Sequence, residues 1–456
     1  MKPKGPSLSF FLKHLKNLTS DPLKLLLEAS QQYGEVVDLG GGMSPVYLVN
    51  HPDAVKQVLL TDADQYERGA NLNHLRSFVG NGLLTSNGEV WKRQRQLMQS
   101  SFHLGKLQHS LQDMIEPTVA MLEQWEQGKT YPMLENMMVV TQQIILRIVF
   151  DAQNHPRERA EALNDHLDTV QHYLTWASMQ EAVFIGMSGI FGRKNMDWMY
   201  ERVSRKRRKK FESALHTWQA FAQELIQQKR AKMQESDADL LAILIRDEGE
   251  GGMTAQQLED EVMTLFFAGY DTTGNSMAWI CWLLATHPDV QERLFSEIQT
   301  VLKGAKPSYQ DLGQMPYLQA VIDESLRLYP VAWAAYRTPI AEVQICGYDI
   351  PKNASVLVIP YLIQHHPSFW SQPDVFNPDR FMEKKADDYG LSYFPFNAGR
   401  HACIGRRLGV LEMKIILSLM LQRFRLVATT DAPLLPKAMI TLYPSTNVPI
   451  QVEARL

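Results

Sequence analysis

Apolar and polar residues recur along this chain with two periods, and each period predicts its own kind of element. The helical period dominates. Pro22–Gln32 repeats its leucines at helical spacing and ends at the Tyr33-Gly34 turn. Glu35–Leu39 and Pro45–Val49 alternate instead at the strand period, so Gly40, Gly41 and Gly42 between them predict a hairpin. A short helix over residues 52–60 precedes an irregular stretch, 66–85, that runs into VGNGLLTSNG. The segment GEVWKRQRQLMQSSFH is again helical, and residues 104–150 carry two helical patterns. Thr141–Phe150 within them is apolar enough to predict burial. Two long helices, 158–182 and 197–229, are expected on either side of a break at IGMSGIFG, residues 185–192.

The longest apolar pattern begins after the turn Gly249–Gly252 and continues to about Leu284. Thr254 followed by Gln257 predicts a capping box at its start. Further helices follow at Pro288–Leu302, through AVIDESLRLYP to an end at Tyr329 before Pro330, and at Val410–Phe424. Strands are expected at Ile345–Ile350 and Ser355–Ile359, with a terminal hairpin at Ala438–Tyr443. The fold class expected is therefore mainly α with small β-sheets, as a single unit over residues 1–456.

Composition narrows the function without naming it. With 456 residues, 45% hydrophobic and 21% charged, the chain can bury a large core and is neither disordered nor collagen-like. A net charge of -4 gives no reason to expect nucleic acid as a partner. The 3 cysteines, Cys281, Cys346 and Cys403, are too few for a disulfide framework, which makes a reducing cytoplasm the expected compartment. Within residues 1–30 no apolar run approaches the roughly 18 residues of a membrane span, so no transmembrane anchor is expected. Arg205–Lys210 is an unbroken basic run, either a solvated helix face or a patch for anionic lipid or an acidic protein.

Candidate chemistry concentrates in FNAGRHACIG, Phe396–Gly405. Cys403 stands just before a helix, whose unpaired N–H groups favour a thiolate. No second Cys or His follows at structural-zinc spacing, and a single thiolate on a metal points to haem iron, with a buried apolar cysteine as the plain alternative. Trp91 and Arg95 are four apart and share a helix face. In AGYDTTG, Ala268–Gly274, Thr272 can bond back to the carbonyl of Ala268, and Gly269 leaves room for a flat group or for water. On residues alone, a packed helix with a satisfied polar pair is the plainer reading there.

These motifs together resemble one family, the haem-thiolate monooxygenases called cytochromes P450. Phe396, Gly399, Cys403 and Gly405 match its cysteine signature, and His401 stands where arginine is commoner. The order Glu324-x-x-Arg327, then Arg380 in FNPDRF, then the cysteine loop also follows the family's order. The resemblance implies that fold, with the long helix crossing haem b and Cys403 as axial ligand. It implies propionate contacts from Trp91, Arg95, Arg337 and His401, with Phe396, Ala268, Gly269 and Gly405 lying against the cofactor. Alanine at 268 implies no ester to the haem. Asp271 and Thr272 take the acid and alcohol positions of a proton relay, and Glu324, Arg327 and Arg380 a structural lock.

The implied activity is insertion of one oxygen atom from dioxygen into a small apolar substrate, using two external electrons. Haem-thiolate isomerases, dehydratases and peroxygenases are competing readings, against which the Asp271-Thr272 pair counts; a non-enzymatic haem sensor is another, which substrate-dependent turnover would remove. Residues mapped to the pocket are Leu72, Phe78, Leu83, Leu84, Leu265, Ala268, Val331, Ala332, Ala335, Met439 and Ile440. Their apolar character favours a terpenoid or lipid-like molecule. Electrons would come from a separate redox partner such as a ferredoxin or flavodoxin with its reductase, met by Lys92, Arg93, Arg406 and Arg407.

Overall fold

The computed structural model describes residues 1–7, 10, 22–40, 45–69, 72–152, 156–191, 193–430 and 432–455, with backbone alone at 104, 157 and 179–203. Its axis is the helix Ala255–Thr286, here called the central helix. The predicted capping box starts it: Gln257 N–H donates to Thr254 Oγ1 at 3.1 Å, and Thr254 N–H to Gln257 Oε1 at 2.9 Å. Apolar residues on most faces bury the helix, so its neighbours fix its shape more than its own propensity does.

The tightest neighbour is the helix Met133–Phe150. A Cβ at Gly269 would lie 2.5 Å from Cδ1 of Ile145, and one at Gly274 would lie 2.6 Å from the sulfur of Met138. The space beside Gly269 is thus filled by Ile145. The expected room there for a flat group or water is not what this glycine provides; it lets two helices approach.

Three local expectations change. The break expected across IGMSGIFG narrows to its end: Arg157–Phe191 stays helical through residues 185–191, the second helix is Arg193–Lys232, and Gly192 between them lies outside the described residues. The segment lacks proline, and a glycine costs a helix only about 1 kcal/mol. Residues 66–85, expected to be irregular, contain the strand Tyr66–Arg68 and the helix Leu72–Val79. Residues 104–150 hold three helices, Leu104–His109, Leu111–Leu122 and Met133–Phe150, where two were expected. Arg205–Lys210 is exposed throughout, flanked by buried Ser204 and Phe211.

A five-stranded sheet covers one side, in the order Val36–Asp38, Val46–Val49, Ser355–Val358, Ala335–Pro339, Tyr66–Arg68. Its first pair is the predicted hairpin, with Val36 opposite Val49; residues 41–44 of that turn lie outside the described ones. The helix after the cysteine loop is Arg406–Arg423, starting directly after Gly405. Beyond it, Pro436–Ala438 pairs with Leu442–Pro444 as a hairpin that reaches the central helix. By length and composition one described helix, Met133–Phe150, could cross a membrane, but 72% of it is buried within the protein.

Candidate active site

The Phe396–Gly405 loop is shaped by backbone contacts before any ligand is considered. Gly399 has φ +68°, and a Cβ there would lie 2.0 Å from the carbonyl oxygen of Leu59, so only glycine fits. Cys403 N–H donates to the Phe396 carbonyl at 2.9 Å, closing the loop. Burial pushes the Cys403 thiol up, while the N–H groups of Gly405 and Arg406 and the guanidinium of Arg95 pull it down. Its side chain is nevertheless exposed, so it faces an internal cleft instead of packed core. Cys281, by contrast, is wholly buried in the central helix and its thiol is pushed up to about 12. Cys346 lies in an exposed hairpin turn.

Beside this loop, positive charge gathers without a counter-charge. Arg68 and Arg337 stand directly opposite each other across antiparallel strands, an arrangement that is unfavourable by itself. Arg68 reaches Nδ1 of His401 through Nε at 3.2 Å and also bonds the Leu84 carbonyl. Burial and the neighbouring guanidiniums lower Arg68 to about 9, and burial with Arg400 lowers Arg337 to about 10. His401 is driven down to about 2 by burial and then by Arg68, Arg337, Arg400 and Arg95, which leaves it neutral. Arg400 has Asp64 at 2.7 Å, but no carboxylate pairs with Arg68, Arg95 or Arg337 among the described residues. Glu261, the acid that acts on Arg68, is itself raised to about 8 by burial.

The indole of Trp91 lies 4.3 Å from the His401 ring, and its Nε1 is buried without a hydrogen-bond partner. Three uncompensated guanidiniums, an unpartnered indole donor and an accessible thiol fit a planar dianionic group bearing a soft metal, which is the chemistry of haem. Sequence reasoning missed Arg68. Its only signal is the strand pairing that sets it against Arg337.

A second cluster, on the helix Pro316–Leu328, is compensated. Arg327 donates to both oxygens of Glu324, at 2.7 and 2.9 Å, and all of this is fully buried. Arg380 Nε adds a contact to Glu324 Oε1 at 3.3 Å, and Arg327 also caps the carbonyls of Gln364 and Pro373 at 2.8 and 2.7 Å. Asn377 N–H completes the carboxylate at 3.0 Å.

The cytochrome P450 family profile matches residues 3–452. The chain belongs to the cytochrome P450 family. It is similar to cyclooctat-9-en-7-ol 5-monooxygenase of Streptomyces melanosporofaciens, at 29% identity over 91% of this chain and 87% of the relative. Pentalenene oxygenase of Streptomyces avermitilis is 26% identical over 97% of this chain and 95% of its own length. Leukotriene-B4 omega-hydroxylase 3 of Mus musculus is 28% identical over 86% and 78%. This cytochrome P450 is accordingly a haem-thiolate monooxygenase, with haem b held by a cysteine thiolate as its cofactor.

In this cytochrome P450, Thr272 is half-buried and its hydroxyl donates to the Ala268 carbonyl at 2.9 Å. Asp271 does not join it. Its fully buried carboxyl accepts from Gln171 Nε2 at 2.9 Å, from Thr441 Oγ1 at 2.9 Å and from the phenol of Tyr443. Burial raises it to about 6, against these three hydrogen bonds.

The expected pocket residues divide into two sets. Ala268, Leu72, Leu84, Ala335, Met439 and Ile440 are half-buried, and Ala332 is exposed. Phe78, Leu83, Leu265 and Val331 are buried. Phe78 is held edge-on between Trp218 and Phe267, at 5.1 and 5.6 Å, and so serves the core. Leu83 is fixed by its N–H to Glu261 Oε2 at 3.0 Å. Tyr270 stacks on Trp218 within the core and does not turn toward the cleft. Trp333, absent from the sequence reading, donates to the Met439 carbonyl at 2.9 Å and steadies the hairpin tip.

Proposed function

We propose that Cys403 is the axial ligand of the haem and that the enzyme hydroxylates an unactivated carbon of a mostly apolar, terpenoid or lipid-like molecule. The accessible Cys403 sulfur beside an uncompensated cation cluster carries this reading. Arg68, Arg95, Arg337 and Trp91 Nε1 would hold the propionates. Neutral His401 would present whichever nitrogen Arg68 does not use. Bound haem supplies dioxygen activation, with two electrons from outside and two protons. The N–H groups of Gly405 and Arg406 temper the basicity of the thiolate.

Thr272, half-buried one turn after Ala268, offers a hydroxyl that accepts a proton on one side while donating on the other. Asp271 is the acid that would feed it. Apolar walls from Leu72, Leu84, Leu265, Ala268, Met439 and Ile440 exclude water and orient the substrate by shape. The relatives' names support this class, since two act on cyclic terpenoids and one on a leukotriene. A separate redox protein, a ferredoxin or flavodoxin with its reductase, would dock on the Cys403 side. Exposed Arg407 is better placed for it than Lys92, Arg93 and Arg406, which already pair with Glu89, Asp247 and Asp387.

The test is a screen of terpenes, steroids, fatty acids and aromatic acids for a haem spin-state change, followed by product analysis with a surrogate ferredoxin system. Apolar ligands should bind and turn over, and Cys403→Ser should lose the thiolate signature of the reduced carbon monoxide complex. Coupled turnover confined to charged, polar substrates would overturn the substrate class; an unchanged signature would overturn the ligand.

A further inference from the structure

Asp271 is tied to two other segments of the chain. Gln171 comes from the helix Arg157–Phe191, and Thr441 and Tyr443 come from the C-terminal hairpin. The phenol of Tyr443 donates to Asp271 Oδ1, and its oxygen accepts from Gln171 Nε2 at 2.7 Å. Asn275, one turn along the central helix, donates to the Asp271 carbonyl at 3.0 Å. Tyr270 lies beside the carboxyl with its own hydroxyl unpartnered. These are the groups that face Asp271, and none of them is a cation.

The hairpin carrying two of those donors also carries two residues of the proposed pocket wall. Met439 and Ile440 immediately precede Thr441. Leu442 N–H donates to the Val331 carbonyl at 2.9 Å, and the Leu442 carbonyl accepts from Trp279 Nε1 at 3.1 Å. One short segment therefore joins the cleft to the buried acid. Adjacent residues on a helix point about 100° apart, so the hold on Asp271 also keeps it from the Thr272 hydroxyl.

We propose that Tyr443 is the positioning residue of Asp271: with Thr441 it holds the carboxyl on the hairpin side, so that the hairpin governs when this acid can protonate Thr272. The proposal rests on the reading of Asp271 and Thr272 as the proton-donating pair. In that relay the Asp271 carboxyl would give its proton to the Thr272 hydroxyl as that hydroxyl releases its own toward the haem side, and the carboxylate would regain a proton from water, leaving hydroxide to the solvent. Hydrogen bonds to a carboxylate favour its ionised form. Removing the phenol therefore makes the carboxyl easier to protonate and leaves Oδ1 less restrained.

The experiment uses haem-loaded enzyme without added substrate, with electrons from a ferredoxin and its reductase. The first readout is the pH midpoint of the buried carboxyl band in infrared difference spectra, assigned by its loss in Asp271→Asn. The second is the pH midpoint of the peroxide-to-water ratio. Tyr443→Phe should raise both midpoints by about one pH unit. Thr441→Val should act in the same direction, and Thr441→Ser should keep both midpoints near wild type, which a purely structural role would not require. Unmoved midpoints in Tyr443→Phe and Thr441→Val, with Asp271→Asn altering the ratio, would overturn this inference alone. A ratio indifferent to Asp271→Asn would instead overturn the reading of Asp271 as proton donor.

Discussion

Around Glu324 the guanidiniums of Arg327 and Arg380 both reach one carboxylate, whereas around His401 the guanidiniums of Arg68, Arg95 and Arg337 converge with no carboxylate to pair them among the described residues. Both clusters are rich in arginine. They differ in charge balance, and that difference separates scaffold from ligand site. A compensated cluster is complete in the chain alone and breaks only when one partner is removed. An uncompensated one repels itself until an anion arrives, so its free energy is realised in binding.

The largest expected effect comes from spoiling the balanced cluster. Glu324→Ala leaves two guanidiniums, one of them fully buried, without their carboxylate, and should destabilise the chain by about 3–5 kcal/mol. Chemical denaturation with and without haem should show a similar loss in both. A loss under about 1 kcal/mol, the scale of an exposed pair, would mean that this cluster is not the scaffold.

Arg337→Leu should divide the two properties in the opposite way. Removing one of two guanidiniums that face each other relieves repulsion, so the haem-free chain should be no less stable than wild type. Haem affinity should fall by about 10- to 100-fold, the value of one hydrogen bond to a charged group. Apo stability comes from denaturation and affinity from haem transfer to a competing apoprotein. A fall in apo stability matching that of Glu324→Ala would erase the distinction between the clusters.

What the sequence reveals follows from how local each feature is. The cysteine loop, the capping box at Thr254 and the Glu324-Arg327 turn depend on residues a few positions apart, and spacing displays them. Arg68 depends on a strand pairing with residues far along the chain, so nothing near it marks it. Gly269 is legible as a glycine but not as the seat of Ile145, because the helix that fills it comes from elsewhere. Asp271 is the sharpest case. Its position beside Thr272 is plain, yet its direction is set by Gln171, Thr441 and Tyr443 from two other segments.

The smallest effect tests the uncompensated cluster through His401. Burial and the surrounding guanidiniums lower it from its ordinary 6.5 to about 2, so the folded chain binds this proton less readily than the unfolded chain does. Its contribution to stability is therefore complete above pH 6.5 and is lost as pH falls below that value toward 2. Buried carboxyls run the other way: Asp271 and Glu261, raised to about 6 and about 8, favour the folded chain increasingly as pH falls through those values. Only a difference between variants isolates the histidine. Haem-free wild type should lose about 1 kcal/mol more than His401→Gln between pH 6.5 and 5.5, after allowance for partial exposure. Loading haem should shrink that difference, because the propionates neutralise the guanidiniums that repel the imidazolium. Equal slopes for the two haem-free proteins would show that these cations do not hold His401 neutral.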